Sequence, residues 1–372
     1  MPTDHEGRAH HGIPGTRIRG GLVSVGRGLV QAPLRGLSLL QVRHVPTVSF
    51  REASGDTARV YRELERDFGV LAPPVALHAP VPELLAASWV TLRETMLAEG
   101  RAPRTAKEAV AAAVSAGNRC PFCTTMHSTM LDSLSLRPVP RRRAGRAGPA
   151  AEGLTAEELT AWVTTAGTPP FPPELLPELA GTALCLQYLN RVVNIFLGSR
   201  PLPPGAPGRA IGPVLRVLIG LMRGSVRAAS APGTSLSLLP AAPLPPDLDW
   251  AAADPRIADA LARGTAAVER VGTELVPDPV REAVAAETAR WDGTDPGLGR
   301  AWLDAPLSEL PPDVRPVGEL ALLTALASYR IDDRVVAAAR RAGAGDREIL
   351  AACSWAALRA ARRRVRHLLS DD

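Results

Sequence analysis

The run Cys120-Pro-Phe-Cys123-Thr-Thr-Met-His127 constrains this chain more than any other feature. Ahead of it, Gly117-Asn118 follows the Ala-rich stretch 108–116, and such a pair ends a helix readily because both residues tolerate a left-handed backbone. Pro121 suits the first position of a new helix, where its missing N–H costs nothing. Cys120 then stands at or beside the N-cap, with Cys123 inside the first turn. Positions 120, 123 and 127 fall at i, i+3 and i+7, on one face. Two cysteines at this spacing can close a small disulfide ring. The positive end of the helix and the imidazole both favour a thiolate, so a lowered thiol pKa is expected. Glu108 sits on the preceding helix and could complete a proton relay. The break at Gly117 intervenes, so its approach to His127 or Cys123 needs a tertiary fold.

The rest of the chain reads as mostly helical. Aromatic residues are 4% against 46% hydrophobic, so the core must be built from Ala, Leu and Val in amphipathic stretches. At 372 residues there is room for two domains. Four cysteines in such a length do not make a disulfide scaffold. One CxxC beside scattered Cys185 and Cys353 suits a reducing compartment, and a cytoplasmic location is expected. The net charge of +5 invites a nucleic-acid partner, but the arginines are spread along the chain and no nucleic-acid module accompanies them. The cluster Arg141, Arg142, Arg143 and Arg146 lies among Pro and Gly and reads as a solvated loop. No stretch approaches the roughly 20 apolar residues that span a bilayer. Arg27 and Arg35 interrupt any signal-peptide core.

Helices are expected over 55–69, 82–97 and 106–116. The CxxC helix follows and runs to about Leu134. Thr155 and Glu158 form a capping box for the next. A long helix over 174–198 tolerates Pro177 in its first turn and carries an apolar stripe of Leu176, Leu179, Ala183, Leu186, Val193 and Phe196. A basic helix is expected over 211–222, and 346–369 ends in the basic Arg362-Arg-Arg-Val-Arg366. The organisation expected is a basic, mobile or packed extension over 1–46, a helical domain over 47–230 carrying the CxxC, a Pro/Ser-rich linker over 231–247 and a second helical domain over 248–372.

The halves read as two copies of one unit. Trp302 precedes Glu319 much as Trp89 precedes Glu108. Counting on from Glu319 gives Ile331, Arg334 and Ala338 where cysteines and histidine would stand, so the second copy is degenerate.

Glu108, Cys120, Cys123 and His127 carry the spacing Glu-x11-Cys-x2-Cys-x3-His, and in it the chain resembles the AhpD-like alkylhydroperoxidases of the carboxymuconolactone decarboxylase superfamily. Asn118 and Ala-Val-Ser at 113–115 share the likeness, which extends loosely over 61–134 and 186–194. The resemblance implies an all-α fold, duplicated here, in a homo-oligomer. It implies that Cys123 is the peroxide-attacking thiol and Cys120 its resolving partner. His127 would activate the thiol and Glu108 drive the relay. A hydroperoxide would be the substrate and a dithiol or protein the reductant, with no bound cofactor required. In one departure, Phe122 occupies the position before the second cysteine, where the family's namesake carries a histidine.

Blander readings stand beside this one. A structural zinc site wants four ligands and only Cys120, Cys123 and His127 are close in sequence, so no metal is expected. Inert buried thiols would need no relay. A lactone decarboxylase would need no redox pair, and a non-catalytic oligomeric scaffold would tolerate Cys123→Ser. His78, Cys185, Cys353, Trp302 and Trp355 read as core packing. Tyr188, Asn190 and Arg191 either line a pocket or form a helix contact.

Overall fold

The structure, a computed structural model, describes residues 31–136, 154–297 and 299–370. Among the described residues every regular element is a helix, and the only extended pairing is an isolated bridge between Ala98 and Ser230. The arginine-rich stretch expected as a loop lies outside the described residues. The principal helices are α1 (Gly55–Glu63), α2 (Pro82–Leu92), α3 (Arg104–Gly117), α4 (Pro121–Leu136), α5 (Ala156–Thr165), α6 (Leu176–Phe196) and α7 (Ile211–Ala228). The second half adds α8 (Pro255–Leu275), α9 (Asp278–Arg290), α10 (Arg315–Ala327), α11 (Asp333–Arg341) and α12 (Asp346–Leu368). No described helix is long and apolar enough to cross a membrane.

Local signals set many of these ends. Thr155 Oγ1 accepts from the backbone N–H of Glu158 while the Glu158 carboxylate takes the N–H of Thr155, the reciprocal box expected from sequence. Asp254 and Asp332 cap α8 and α11 through their carboxylates. The expected helices over 55–69 and 82–97 are present, but each finishes in a π-helical turn, Leu64–Phe68 and Arg93–Leu97.

α6 departs from its expected stripe. From Pro177 to Val193 every residue is buried, so this is a core helix enclosed on all sides. α12 packs along it, and α3 and α10 flank the pair. The two halves share one hydrophobic cluster, running from Val60 and Trp89 through Leu186 to Leu323 and Leu350.

Each half repeats one arrangement. α3 leads into α4 and packs on α6; α10 leads into α11 and packs on α12. Glu108 and Glu319 are both the fifth residue of their helices. Trp89 Nε1 donates to Glu63 at 2.7 Å, and in the second half Trp355 Nε1 makes a like bond to Glu269 at 2.7 Å, but from α12, which corresponds to α6 and not to α2. Trp302, paired with Trp89 on sequence spacing, lies instead in the short turn Ala301–Leu303.

Charged groups tie the segment after α7 to the body. Arg93, buried, meets Asp67 at 2.7 Å and Glu94 at 2.5 Å and donates to the carbonyl of Ala231. Glu94 in turn accepts from Gly233 N–H at 2.8 Å and Ser235 Oγ at 2.7 Å. At the other end of the chain, Arg35 pairs with both oxygens of Glu65, so the described part of the N-terminal extension is fastened to the π-helical turn that follows α1.

Candidate active site

α3 and α4 form a tight helical hairpin, and its turn is built from backbone bonds. Asn118 N–H donates to Val114, Arg119 N–H to Ala116 and Cys120 N–H to Ser115 at 3.0 Å. Arg119 adopts a left-handed conformation at φ 49°, which reverses the chain. Cys120 is the N-cap of α4: its carbonyl accepts from Thr124 N–H at 2.9 Å, and Pro121 follows at the first helical position.

The hairpin supplies the tertiary approach that Glu108 needed. Its Oε2 lies 2.8 Å from His127 Nδ1, and its Oε1 takes Arg104 Nε at 2.8 Å. Glu108 is fully buried, not a surface acid beside Lys107, which pairs with Glu178. Burial pushes its pKa up, but Arg104 and His127 outweigh that and hold it below the ordinary carboxylate value. An ionised carboxylate can only accept, so Nδ1 of His127 carries the hydrogen and Nε2 is left as the basic nitrogen of the neutral ring.

Cys120 and Cys123 are both free and buried, one helical turn apart at the start of α4. The expected lowered thiol pKa is not found at Cys123. Burial pushes this thiol well up, contact with Cys120 adds to the rise, and a hydrogen bond from Asn190 only partly offsets them. A helix dipole acts over the first turn and is worth a fraction of a kcal/mol, whereas complete desolvation of a thiolate costs more. The resting Cys123 is therefore a thiol that needs a base.

Phe122 is buried in the same hydrophobic cluster as Cys120 and Cys123. In the second half, α11 begins at the N-cap Asp332, one residue later than the count from Glu319 because the connecting turn is longer. Cap-to-cap alignment sets Val335 and Ala339 against Cys123 and His127. Neither register restores the chemistry. Among the described residues no group of three or more His, Cys, Asp and Glu side chains is arranged to hold a metal.

A model of the carboxymuconolactone decarboxylase family matches residues 83–134, which span α2 to α4 and all four candidate residues. Over 328 residues the chain is 37% identical to an alkyl hydroperoxide reductase of Mycobacterium tuberculosis, covering 87% of this chain and 93% of the relative. The chain is an AhpD-like member of the carboxymuconolactone decarboxylase family. No solved structure matches it.

Sequence reasoning left one part of this AhpD-like site undecided. Asn190, on the core helix α6, is wholly buried and bonds Ser115 Oγ and Asn118 Nδ2, each at 3.1 Å, as well as the Cys123 thiol. Arg191 and Asn194 fasten the same loop through the Asn118 side chain and carbonyl. The available signal was Asn190, Arg191 and Asn194 within one turn and a half of a mainly apolar helix. His78 and Tyr188 form a separate buried contact at 2.8 Å, as core packing would have it.

Proposed function

We propose that the chain is a thiol-dependent peroxidase in which Cys123 and Cys120 cycle between dithiol and disulfide. The observation that carries this reading is the Glu108–His127 hydrogen bond on the face that bears both cysteines. His127 Nε2 takes the proton from the Cys123 thiol. The thiolate attacks one oxygen of a hydroperoxide, ROOH, breaking the O–O bond and giving the sulfenic acid, while the proton held by His127 passes to the departing alkoxide as ROH. The Cys120 thiol then displaces water from the sulfenic acid, forming the disulfide. A dithiol donor returns the pair to its reduced form through a mixed disulfide.

Each residue has a chemical reason to be present. A buried thiol is unreactive until deprotonated, and a histidine oriented by an ionised carboxylate is a competent base. Positive charge generated on His127 is balanced by Glu108, itself held by Arg104. The cytoplasm suits the need for a dithiol or protein reductant, and a homo-oligomer is part of the proposal by family likeness. The named activity of the mycobacterial relative supports the same substrate class.

The test is hydroperoxide consumption with dithiothreitol as donor. Wild-type protein should turn over. Cys123→Ser should be inactive, and Cys120→Ser, assayed without added thiol, should consume one equivalent of peroxide and stop with a sulfenic acid trappable by dimedone. Equal consumption by wild type and Cys123→Ser would reject the reading.

A further inference from the structure

Behind the loop that leads into the CxxC lies a cavity of about 170 Å³, walled by α3, α5 and α6 on one side and by the α9–α10 region on the other. It opens beside the exposed Thr164 and Thr294. Two guanidinium groups face it, Arg191 and Arg364, and both stand over the ring of Trp291 at 5.7 and 5.9 Å from its centre. Arg191 is almost fully buried. Its hydrogen-bond partners among the described residues are all neutral: Ala325 O at 3.0 Å, Gln187 O at 2.7 Å, Gln187 Oε1 at 2.6 Å and Asn118 Oδ1 at 3.2 Å. Arg364 donates to Gly293 O at 2.7 Å.

No carboxylate among the described residues forms an ion pair with either arginine. Asp292 acts on Arg364 from a distance, and Asp295, on the cavity wall, is already engaged by Arg119 at 2.8 Å, Arg330 at 3.3 Å and the Tyr329 hydroxyl at 2.6 Å. Burial and the neighbouring guanidinium of Arg364 push Arg191 down to about 9, the response of a cation lacking a counter-charge. An uncompensated buried charge is costly, so the buried Arg191 converging with the half-buried Arg364 on one cavity is an unusual arrangement unless an anion enters. The remaining wall is apolar where Val114, Leu326 and the Trp291 ring contribute. By volume the cavity is comparable with an engineered protein void of about 150 Å³ that admits benzene.

We propose that this cavity is a binding site for a small organic carboxylate, its acid group held between Arg191 and Arg364 and its apolar body against Trp291. The site stands apart from the peroxidase reading and does not depend on it. Planar guanidinium groups match carboxylate geometry, and the flat ring favours a planar ligand body.

The probe is benzoate, titrated calorimetrically into the full reduced chain, with benzyl alcohol and inorganic phosphate as comparison ligands. Benzoate should bind at one site per chain and at least about tenfold more tightly than benzyl alcohol, the factor that one charge-assisted contact supplies. Arg364→Gln should weaken benzoate by about tenfold or more, while Arg364→Lys, which keeps the charge, should lose less. Circular dichroism melts would establish that both variants are folded, and the wild-type ligand comparison stands without either. Equal affinity for benzoate and benzyl alcohol, wild-type affinity in folded Arg364→Gln, or binding of phosphate in place of benzoate would each overturn the proposal.

Discussion

Glu108 and His127 meet across the α3–α4 hairpin at 2.8 Å, and the contact decides which ring nitrogen can work as a base. With Nδ1 committed to the carboxylate, Nε2 is the nitrogen left to accept a proton in the proposed relay. His127→Ala should lower kcat/KM for hydroperoxide by about 10²–10⁴-fold. Glu108→Gln leaves a hydrogen-bonding group but no charge to balance the imidazolium, so it should also lower the rate and shift the pH profile. A rate profile for Glu108→Gln that superimposes on wild type between pH 5 and pH 9 would remove Glu108 from the relay.

Glu108 also makes stability depend on pH. Its folded pKa lies below the ordinary value of 4.5, because Arg104 and His127 outweigh burial. The folded protein thus binds this proton less readily than the unfolded chain. The stabilisation is present above the unfolded value and is lost as pH falls through the folded one. Chemical denaturation of wild type and Glu108→Gln should therefore show a stability difference that shrinks on acidification below pH 4.5. A difference that grows on acidification would contradict the direction of the shift.

At Cys123 the direction is opposite, since burial and the Cys120 contact hold the thiol protonated. Iodoacetamide should react slowly with it at neutral pH, with an apparent midpoint above the ordinary value of 9.0. Asn190→Ala removes the one hydrogen bond that favours the thiolate and should move the midpoint higher still. It also leaves Ser115 and Asn118 short of a buried partner, at a cost of about 1–3 kcal/mol. Alkylation rates against pH, read by mass spectrometry on the Cys123 peptide, check both statements.

The contrast between the hairpin and its thiol explains what the sequence could disclose. Gly117-Asn118, Pro121 and the Thr155–Glu158 box act within a turn of themselves, so the helix ends and the shared face of Cys120, Cys123 and His127 were legible from local rules. Desolvation of Cys123 comes from a core assembled from both halves of the chain, and local dipole reasoning cannot see it. The repeat was legible through Glu108 and Glu319, but Trp302 was a false counterpart. The indole that bonds a glutamate in the second half, Trp355, sits on α12 and so is no repeat partner of Trp89 either. Periodicity misjudged α6 for a similar reason: an amphipathic stripe was read where all faces meet other helices.

Lys107, the only lysine in the chain, is buried against Glu178, with Nζ 2.5 Å from Oε2. Desolvation lowers the lysine pKa and opposes ionisation of the glutamate, yet the pair and the Arg101 N–H keep the carboxylate below its usual range. Removing one partner strands the other. Lys107→Met should cost about 3–5 kcal/mol, and the double variant Lys107→Met/Glu178→Leu should recover much of that loss. Urea denaturation of the four proteins in the cycle measures the coupling. Additive losses would mean that the two charges do not depend on each other.

Gly69 ends the π-helical turn Leu64–Phe68 at φ +106°, and a Cβ built there would lie 2.7 Å from the carbonyl oxygen of Leu221 on α7. Both facts exclude a side chain: the backbone conformation is open to glycine, and the obstacle is main chain, which cannot rotate aside. The same glycine carbonyl accepts the Gln31 side chain at 2.8 Å, so the position joins the N-terminal extension, α1 and α7. Gly69→Ala should destabilise the fold by about 1–3 kcal/mol, comparable with other strained backbone sites. A melting temperature equal to wild type would show that α7 can move away from the turn without cost.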